Sequence, residues 1–223
     1  MRAVILAAGE GKRLRPLTSS IPKPLLKVKG KPILEHTFRN LPDFINEIIL
    51  IIGYRGNQIK KYFGSEFGGK KIIYIKQPEP LGTFHALSCA KRYLNGEPFL
   101  VLVGDDFYKK EDLEKLAGYP VSALAKETDI PERFGICKTG ASGYLEDIVE
   151  KPDYPCGNLA STGAFVLTPH IFAEQIIYGP NQEQLLAPMV GSLAKKMRIK
   201  IVNASFWFPI GYPEDLIKAG DLV

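Results

Sequence analysis

"MRAVILAAGEGKRLRPLTSSIPKPLL" runs from Met1 to Leu26, and its first third sets the fold. Ala3–Ala7 is apolar throughout, the pattern of a strand covered on both faces rather than one. It stops at Ala8-Gly9-Glu10-Gly11. Four cationic residues (Lys12, Arg13, Arg15, Lys23) and three prolines (Pro16, Pro22, Pro24) follow. A hydrophobic core has no use for such a loop; a small polyanion does. Glycine lets backbone N–H groups approach an anion closely. Two standard phosphate loops do not fit. Gly11-Lys12 is followed by Arg13, where a P-loop needs Ser or Thr, and the third small residue of the dinucleotide fingerprint, counted from Gly9, is Leu14.

Outward from this loop, strands alternate with helical patterns. Apolar strands are expected at Ala3–Ala7, Glu47–Tyr54, Lys71–Gln77 and Pro98–Asp105, with helices at Pro32–Asn40, Gly56–Phe63 and Gly82–Leu94 between them. Apolar strands separated by helices predict a parallel sheet with helices on both faces. The second half predicts short strands at Val121–Glu127, Gly135–Thr139, Tyr144–Glu150 and Ser161–Leu167, a mixed extension of the same sheet. Helices at His170–Ile177 and Glu183–Met197, a strand at Lys200–Phe206 and a closing helix after Pro213 complete the pattern. No repeat or linker divides residues 1–223, so one domain is expected. In such sheets ligands bind beyond the carboxyl ends of the parallel strands, where Ala8, Gln77 and Asp105 all fall.

The 223 residues carry a net charge of +5. Seven Lys/Arg against one acid between Glu10 and Lys31 give that segment +6 and leave −1 for the rest. A nucleic-acid binder spreads its basic stripe over several elements, so no nucleic-acid partner is expected. Apolar runs such as Ile48–Ile52 are about five residues long, where a membrane span needs about 20. No signal-peptide pattern opens the chain. Cys89, Cys137 and Cys156 are too scattered for a metal or disulfide framework, and a reducing cytoplasm is the expected location.

Taken together, Leu6-Ala7-Ala8-Gly9-x-Gly11-x-Arg13-Leu14-x-Pro16-Leu17-Thr18, Pro22-Lys23-Pro24-Leu25-Leu26 and Gly30-Lys31-Pro32 resemble the sugar-1-phosphate nucleotidylyltransferase family. The resemblance continues in order through Gln77-Pro78-x-Pro80-Leu81-Gly82-Thr83, Val103-Gly104-Asp105, Phe134-Gly135-Ile136, Glu150-Lys151-Pro152, Thr162-Gly163-Ala164-Phe165 and Trp207-x-x-x-Gly211-x-Pro213-Glu214-Asp215. It implies a Rossmann-like α/β nucleotidyltransferase fold. It implies an enzyme that joins a nucleoside triphosphate to a sugar 1-phosphate and releases pyrophosphate.

The same resemblance distributes the roles. Arg13, Lys23, Asp105 and Lys151 are the catalytic candidates: Arg13 for the β- and γ-phosphates, Lys23 for the α-phosphate, Lys151 for the sugar's phosphate. Asp105 is the candidate ligand for Mg²⁺. Leu6, Ala7, Ala8, Gly9, Gly11, Gln77, Gly82 and Thr83 are expected to bind the nucleotide, and Gly135, Glu150, Lys151, Ser161, Thr162 and Gly163 the sugar. Gln77 favours a pyrimidine, hence UTP or dTTP, because its amide offers both a donor and an acceptor. These residue types suit the chemistry. The attacking phosphate monoester has a second pKa of about 6 and is largely ionised already. The site therefore needs cations rather than a general base.

Three departures stand out. Pro209 occupies the place of a second metal-binding Asp in the family's Trp-x-Asp-x-Gly, Ser161 replaces a common Asn, and Gln184-Leu185-Leu186-Ala187 replaces Glu-Leu-Thr-Asp. Pro209 motivates the alternative of a noncatalytic, nucleotide-sugar-binding subunit. It also leaves Asp105 as the one expected metal carboxylate. Asp106 is expected to face away from Asp105 by strand alternation, His85 to be a packing or surface histidine, and Phe206-Trp207-Phe208 to be core. Nothing resembles the C-terminal left-handed β-helix of longer members, so neither acetyl transfer nor a β-helix trimer is implied. The oligomeric state is left open, a homo-oligomer included.

Overall fold

The computed structural model describes residues 1–154 and 156–222. Its strands are β1 (Arg2–Ala7), β2 (Lys27–Val28), β3 (Lys31–Pro32), β4 (Glu47–Ile52), β5 (Glu66–Phe67), β6 (Lys70–Lys76), β7 (Phe99–Val103), β8 (Asp106–Tyr108), β9 (Ser122–Glu127), β10 (Gly135–Thr139), β11 (Leu145–Glu150), β12 (Leu159–Leu167), β13 (Lys200–Asn203) and β14 (Trp207–Pro209). Its α-helices are α1 (Ile33–Arg39), α2 (Gly56–Phe63), α3 (Thr83–Ser88), α4 (Lys110–Ala117), α5 (Leu186–Ala194) and α6 (Pro213–Leu222).

Ten strands form one mixed sheet in the order β11-β10-β12-β7-β1-β4-β6-β5, with β9 and β13 continuing from β12. The four at its centre, β7, β1, β4 and β6, are parallel neighbours. The expected two-sided burial is visible along β1. Val4 and Leu6 join the cluster under α3 and α5, while Ala3, Ile5 and Ala7 join the one under α1, α2 and α4. Burying each such Ile, Val or Leu is worth roughly 1.5–3 kcal/mol. β12 reverses direction: it runs antiparallel to β7, β9 and β10. That is the mixed extension the short strands predicted.

Some elements differ from the sequence reading. The expected helix at His170–Ile177 is only a 3₁₀ segment, Pro169–Ala173. Past it the chain runs on to a strap in which Tyr178 bridges Gln184 and the Gly179 amide bonds the Glu183 carbonyl at 2.8 Å. α3 ends at Ser88, well before Leu94, and a 3₁₀ turn leads into Asn95 and Gly96, both at positive φ. α5 begins at Leu186 rather than Glu183. Helix α4 and the β2–β3 hairpin were not anticipated. The strand expected over Lys200–Phe206 stops at Asn203. The Ser205 and Phe206 amides then bond the fully buried Asp112 carboxylate of α4 (2.8 and 3.1 Å), which turns the chain into β14.

Candidate active site

The loop after β1 folds onto the sheet edge through close glycine contacts. Gly11 sits at φ 63°, and a Cβ there would meet the Lys23 and Thr18 side chains at 3.0 and 3.1 Å. The Thr18 hydroxyl donates to the Gly11 carbonyl at 2.9 Å. These contacts bring Lys23 under the loop, where it is buried and pairs with Asp105. Asp105 itself lies on the turn between β7 and β8, behind Gly104, whose amide bonds the Leu6 carbonyl at 2.9 Å.

Three adjoining cavities meet at this pair. One, of about 440 Å³, is lined by Leu6, Ala8, Gly9, Gly11, Gln77, Gly82 and Thr83 together with Asp105. A second, of about 240 Å³, has Leu6, Ala7, Gly9, Gly11, Arg13, Lys23 and Asp105. The third, of about 270 Å³, includes Arg13, Lys23, Asp105, Gly135, Glu150, Lys151, Ser161, Thr162 and Gly163. Every residue singled out in the sequence lines at least one of the three, and Asp105 lines all of them.

In the first cavity the Gln77 side chain is buried and oriented. Its amide nitrogen donates to the Gly82 carbonyl (3.1 Å) and faces His85 Nδ1 (3.0 Å), which accepts when the imidazole proton is on Nε2. With that tautomer both N–H groups are engaged, and Gln77 presents its oxygen. His85, read as a packing residue, orients that amide. The loop Leu81–Thr83 is pinned by the strap. Gln184 N bonds Leu81 O, Phe84 N bonds Gln184 O, and Leu186 N bonds Thr83 Oγ1, each at 2.8 Å. A Cβ on Gly82 would lie 2.5 Å from the Gln184 carbonyl oxygen, so only glycine fits.

The sugar-side cavity is built on a bulge. The register of β12 against β9 shifts between Ser161 and Phe165. Gly163, at φ 74°, closes to 3.1 Å from the Val103 methyls as a virtual Cβ. Thr162 turns its hydroxyl away to the Leu124 carbonyl at 2.9 Å and so locks the bulge. The Ser161 hydroxyl is buried without a partner. Gly135 lies across β10–β11 from Glu150, whose Oε2 would be 3.0 Å from a Cβ at 135. Burial pushes the Glu150 carboxyl above its ordinary range; Lys151 pulls it down and Glu183 adds to the rise. Lys151 adopts φ 42°, a strained conformation for a non-glycine residue, with its amide on the Phe134 carbonyl at 3.0 Å.

Three residues of this cavity were not foreseen in these places. Asp106 does not face away: the turn at Gly104-Asp105 interrupts strand alternation, and both carboxylates line the cavity. Asp106 lies opposite Pro209 in the β8–β14 pairing and accepts the Trp207 indole N–H at 2.8 Å. Burial first, then the Asp105 charge, push its carboxyl well above its usual value. Trp207 is half-buried rather than core and meets Phe134 edge-on at 4.9 Å. Arg133, directly before the quoted Phe134-Gly135, also lines the cavity. Its position next to a recognised motif was the available signal. Asp215, expected at a helix start, accepts the Gly211 and Tyr212 amides at 2.8 Å each.

A mixed α/β sheet whose parallel edge carries a glycine loop, a Lys–Asp pair and a cationic cleft defines a protein that handles nucleoside phosphates. The chain belongs to the nucleotidyl transferase family, whose model matches residues 2–223. It is 34% identical over 222 residues to the bifunctional protein GlmU of Methanocaldococcus jannaschii, covering 98% of this chain and 53% of that one. It is also 34% identical over 233 residues to the UTP–glucose-1-phosphate uridylyltransferase AglF of Haloferax volcanii, covering 98% and 95%. The chain thus spans about half the length of the GlmU relatives and nearly all of AglF. Among solved structures, a Bacillus anthracis protein provisionally assigned as a glucose-1-phosphate thymidylyltransferase superposes with a TM-score of 0.88 at 25% identity, over 100% of this chain and 94% of that one. A UDP-glucose pyrophosphorylase of Acinetobacter baumannii shares the fold with a TM-score of 0.86.

Proposed function

We propose that this chain, as one nucleotidyltransferase domain, transfers a nucleotidyl group from UTP or dTTP to a sugar 1-phosphate. An oxygen of the sugar's phosphate attacks the α-phosphorus in line, the α–β bridging bond breaks, and pyrophosphate leaves with the electron pair. The observation that carries this reading is Asp105, paired with Lys23, at the junction of the three cavities. A base-sized cavity, a glycine-and-arginine loop and a polar sugar-sized cavity radiate from that point. This is the arrangement an in-line displacement between two phosphates requires.

Each side chain acts on charge or orientation. Arg13 stabilises the leaving pyrophosphate through its planar fork. Lys23 holds the α-phosphate, and Lys151 holds the acceptor phosphate. The Gln77 oxygen accepts the N3–H of uracil or thymine and rejects cytosine and adenine, whose corresponding ring nitrogen is itself an acceptor. Glu150 and the unpartnered Ser161 hydroxyl accept and donate to sugar hydroxyls.

The donor set fits Mg²⁺. No group of three or more His, Cys, Asp and Glu able to hold a metal exists among the described residues. Mg²⁺ commonly takes one or two carboxylates and fills its shell with phosphate oxygens and water. Asp105 would supply the carboxylate, and the bound ion would neutralise phosphate charge. The reading includes action in a reducing cytoplasm, where free thiols such as Cys89, Cys137 and Cys156 persist.

Pyrophosphate release should be measured with Mg²⁺ across the four ribonucleotide triphosphates and dTTP, each paired with several sugar 1-phosphates. UTP or dTTP should lead. Binding of UDP-glucose in a melt without turnover on any pair would replace this reading with the noncatalytic one that Pro209 suggests.

A further inference from the structure

Tyr212, just past β14, lies under two guanidinium groups. Arg133 Cζ is 4.5 Å from its ring centroid and Arg13 Cζ is 5.1 Å away. Both point at Gly211: a Cβ built there would lie 3.6 Å from an Arg133 terminal nitrogen and 3.7 Å from an Arg13 one. Lys151 acts on the same phenol, which Arg13, through its donor group first, holds below its usual value. Arg13 and Arg133 thus stack on one side chain next to Gly211, and both line the sugar-side cavity together with Lys151.

None of the three makes an ion pair among the described residues. Asp215, the carboxylate next to Gly211, is occupied by the Gly211 and Tyr212 amides. Structural arginines close to one another normally share a carboxylate or backbone carbonyls. Here the face of one aromatic ring is the compensation, a weaker one than an ion-paired carboxylate. Two guanidiniums held on one ring without an ion pair of their own, beside Lys151 on the same cavity, mark a place where an anion belongs.

We propose that Arg133 is a further ligand of the acceptor phosphate, binding it together with Lys151, and that Tyr212 is the positioning residue that keeps Arg133 and Arg13 apart and aimed. The inference rests on reading this cavity as the sugar 1-phosphate subsite. Arg133 fits the acceptor rather than the triphosphate because it lines the sugar-side cavity and neither of the other two, whereas Arg13 lines both the sugar-side cavity and the phosphate-loop one. Two guanidinium forks then bracket the reaction. Arg13 faces the departing pyrophosphate, and Arg133 faces the incoming phosphate.

The test is equilibrium binding by calorimetry, with no turnover required. The ligands are glucose 1-phosphate, inorganic phosphate as a sugar-independent probe, and the non-cleavable UTP analogue UMPCPP. Arg133→Ala should weaken glucose 1-phosphate and phosphate binding about 10- to 100-fold, the loss expected for hydrogen bonds to a charged group, and leave UMPCPP binding unchanged. Arg133→Lys, which keeps the charge and loses the fork, should fall between. Tyr212→Leu should weaken both glucose 1-phosphate and UMPCPP.

Unchanged glucose 1-phosphate and phosphate affinity in Arg133→Ala overturns the proposal, as does an equal loss for all three ligands. Should Arg133→Ala fail to fold, Arg133→Gln is held to the same criteria. Arg133-dependent phosphate binding without pyrophosphate release would sink the reaction and leave this site standing. Pyrophosphate release with binding indifferent to Arg133 would do the reverse.

Discussion

On the nucleotide side of Asp105 the walls come from the carboxyl ends of parallel strands, with residues 6–13 at the end of β1 and 77–86 following β6, two strands away. On the sugar side they come from β10, β11, β12 and β14, from segments as far apart as Arg133 and Gly211. The first wall is made by local chain chemistry: glycines let the loop approach, and strand ends fix where it starts. The second is made by long-range pairing, a bulge at Gly163 and a strained Lys151. Local glycine loops are readable as sequence words, whereas distant pairings are visible only once the sheet exists.

The comparison breaks most sharply at Arg13, which belongs to both sides. Arg13→Ala should lower turnover about 10²–10³-fold, the usual cost of removing one electrostatic donor to a developing charge. Substrate affinities should change less. Steady-state pyrophosphate release checks this, and wild-type turnover would remove Arg13 from the chemistry.

Next comes the bulge. Gly163→Val puts a β-branched residue at φ 74° with its Cβ 3.1 Å from the Val103 methyls. A left-handed conformation alone costs roughly 1–2 kcal/mol. The melting temperature should drop and affinity for the sugar 1-phosphate should weaken, while UMPCPP affinity is retained in the folded fraction. Loss of both affinities in equal measure would show that the two sides are not separable.

On the nucleotide side the finest control lies in His85. Its Nδ1 consumes one Gln77 N–H at 3.0 Å, and without it the amide can rotate and offer a donor. His85→Ala should reduce the preference for UTP over CTP about 2- to 10-fold, the worth of one hydrogen bond. Relative rates across the triphosphates read this directly. An unchanged ratio would mean that the Gly82 carbonyl, at 3.1 Å, orients the amide alone.

The sequence exposed the parallel core because its strands are buried on both faces and read as unbroken apolar runs, such as Ile48–Ile52. It also singled out Gly9, Gly11 and Arg13 in the loop after β1, residues that line the cavities. It misplaced Asp106 because alternation holds only inside a strand, and Gly104-Asp105 is a turn. It extended Pro169–Ala173 into a helix because apolar spacing continues through Ile176 and Ile177, which the structure leaves exposed. It passed over Tyr212, and over Arg133 despite the motif beside it, because their pairing has no local signal. Their meaning comes from a contact across 79 residues of chain.

The smallest expected effect is the one that ties stability to the sugar side. Glu150 is held above the ordinary carboxyl range by burial first, with Lys151 opposing and Glu183 assisting the rise. A carboxyl whose folded value is raised binds its proton more tightly in the native state than in the unfolded chain. Its favourable contribution is therefore complete below the unfolded value of about 4.3 and is lost as pH climbs through the folded value. Glu150→Gln removes that loss. The variant should melt close to wild type in acid and progressively above it as pH rises toward neutral and beyond. The same substitution takes a charged acceptor out of the sugar-side cavity, so affinity for the sugar 1-phosphate should weaken while UMPCPP binding holds. Natural sites commonly trade stability for function in this way. A melting difference that stays constant from pH 4 to pH 8 would show that the Glu150 charge is not a cost to the fold. A gain in stability with no loss of sugar 1-phosphate binding would remove Glu150 from the acceptor subsite and leave it a carboxylate with no role there.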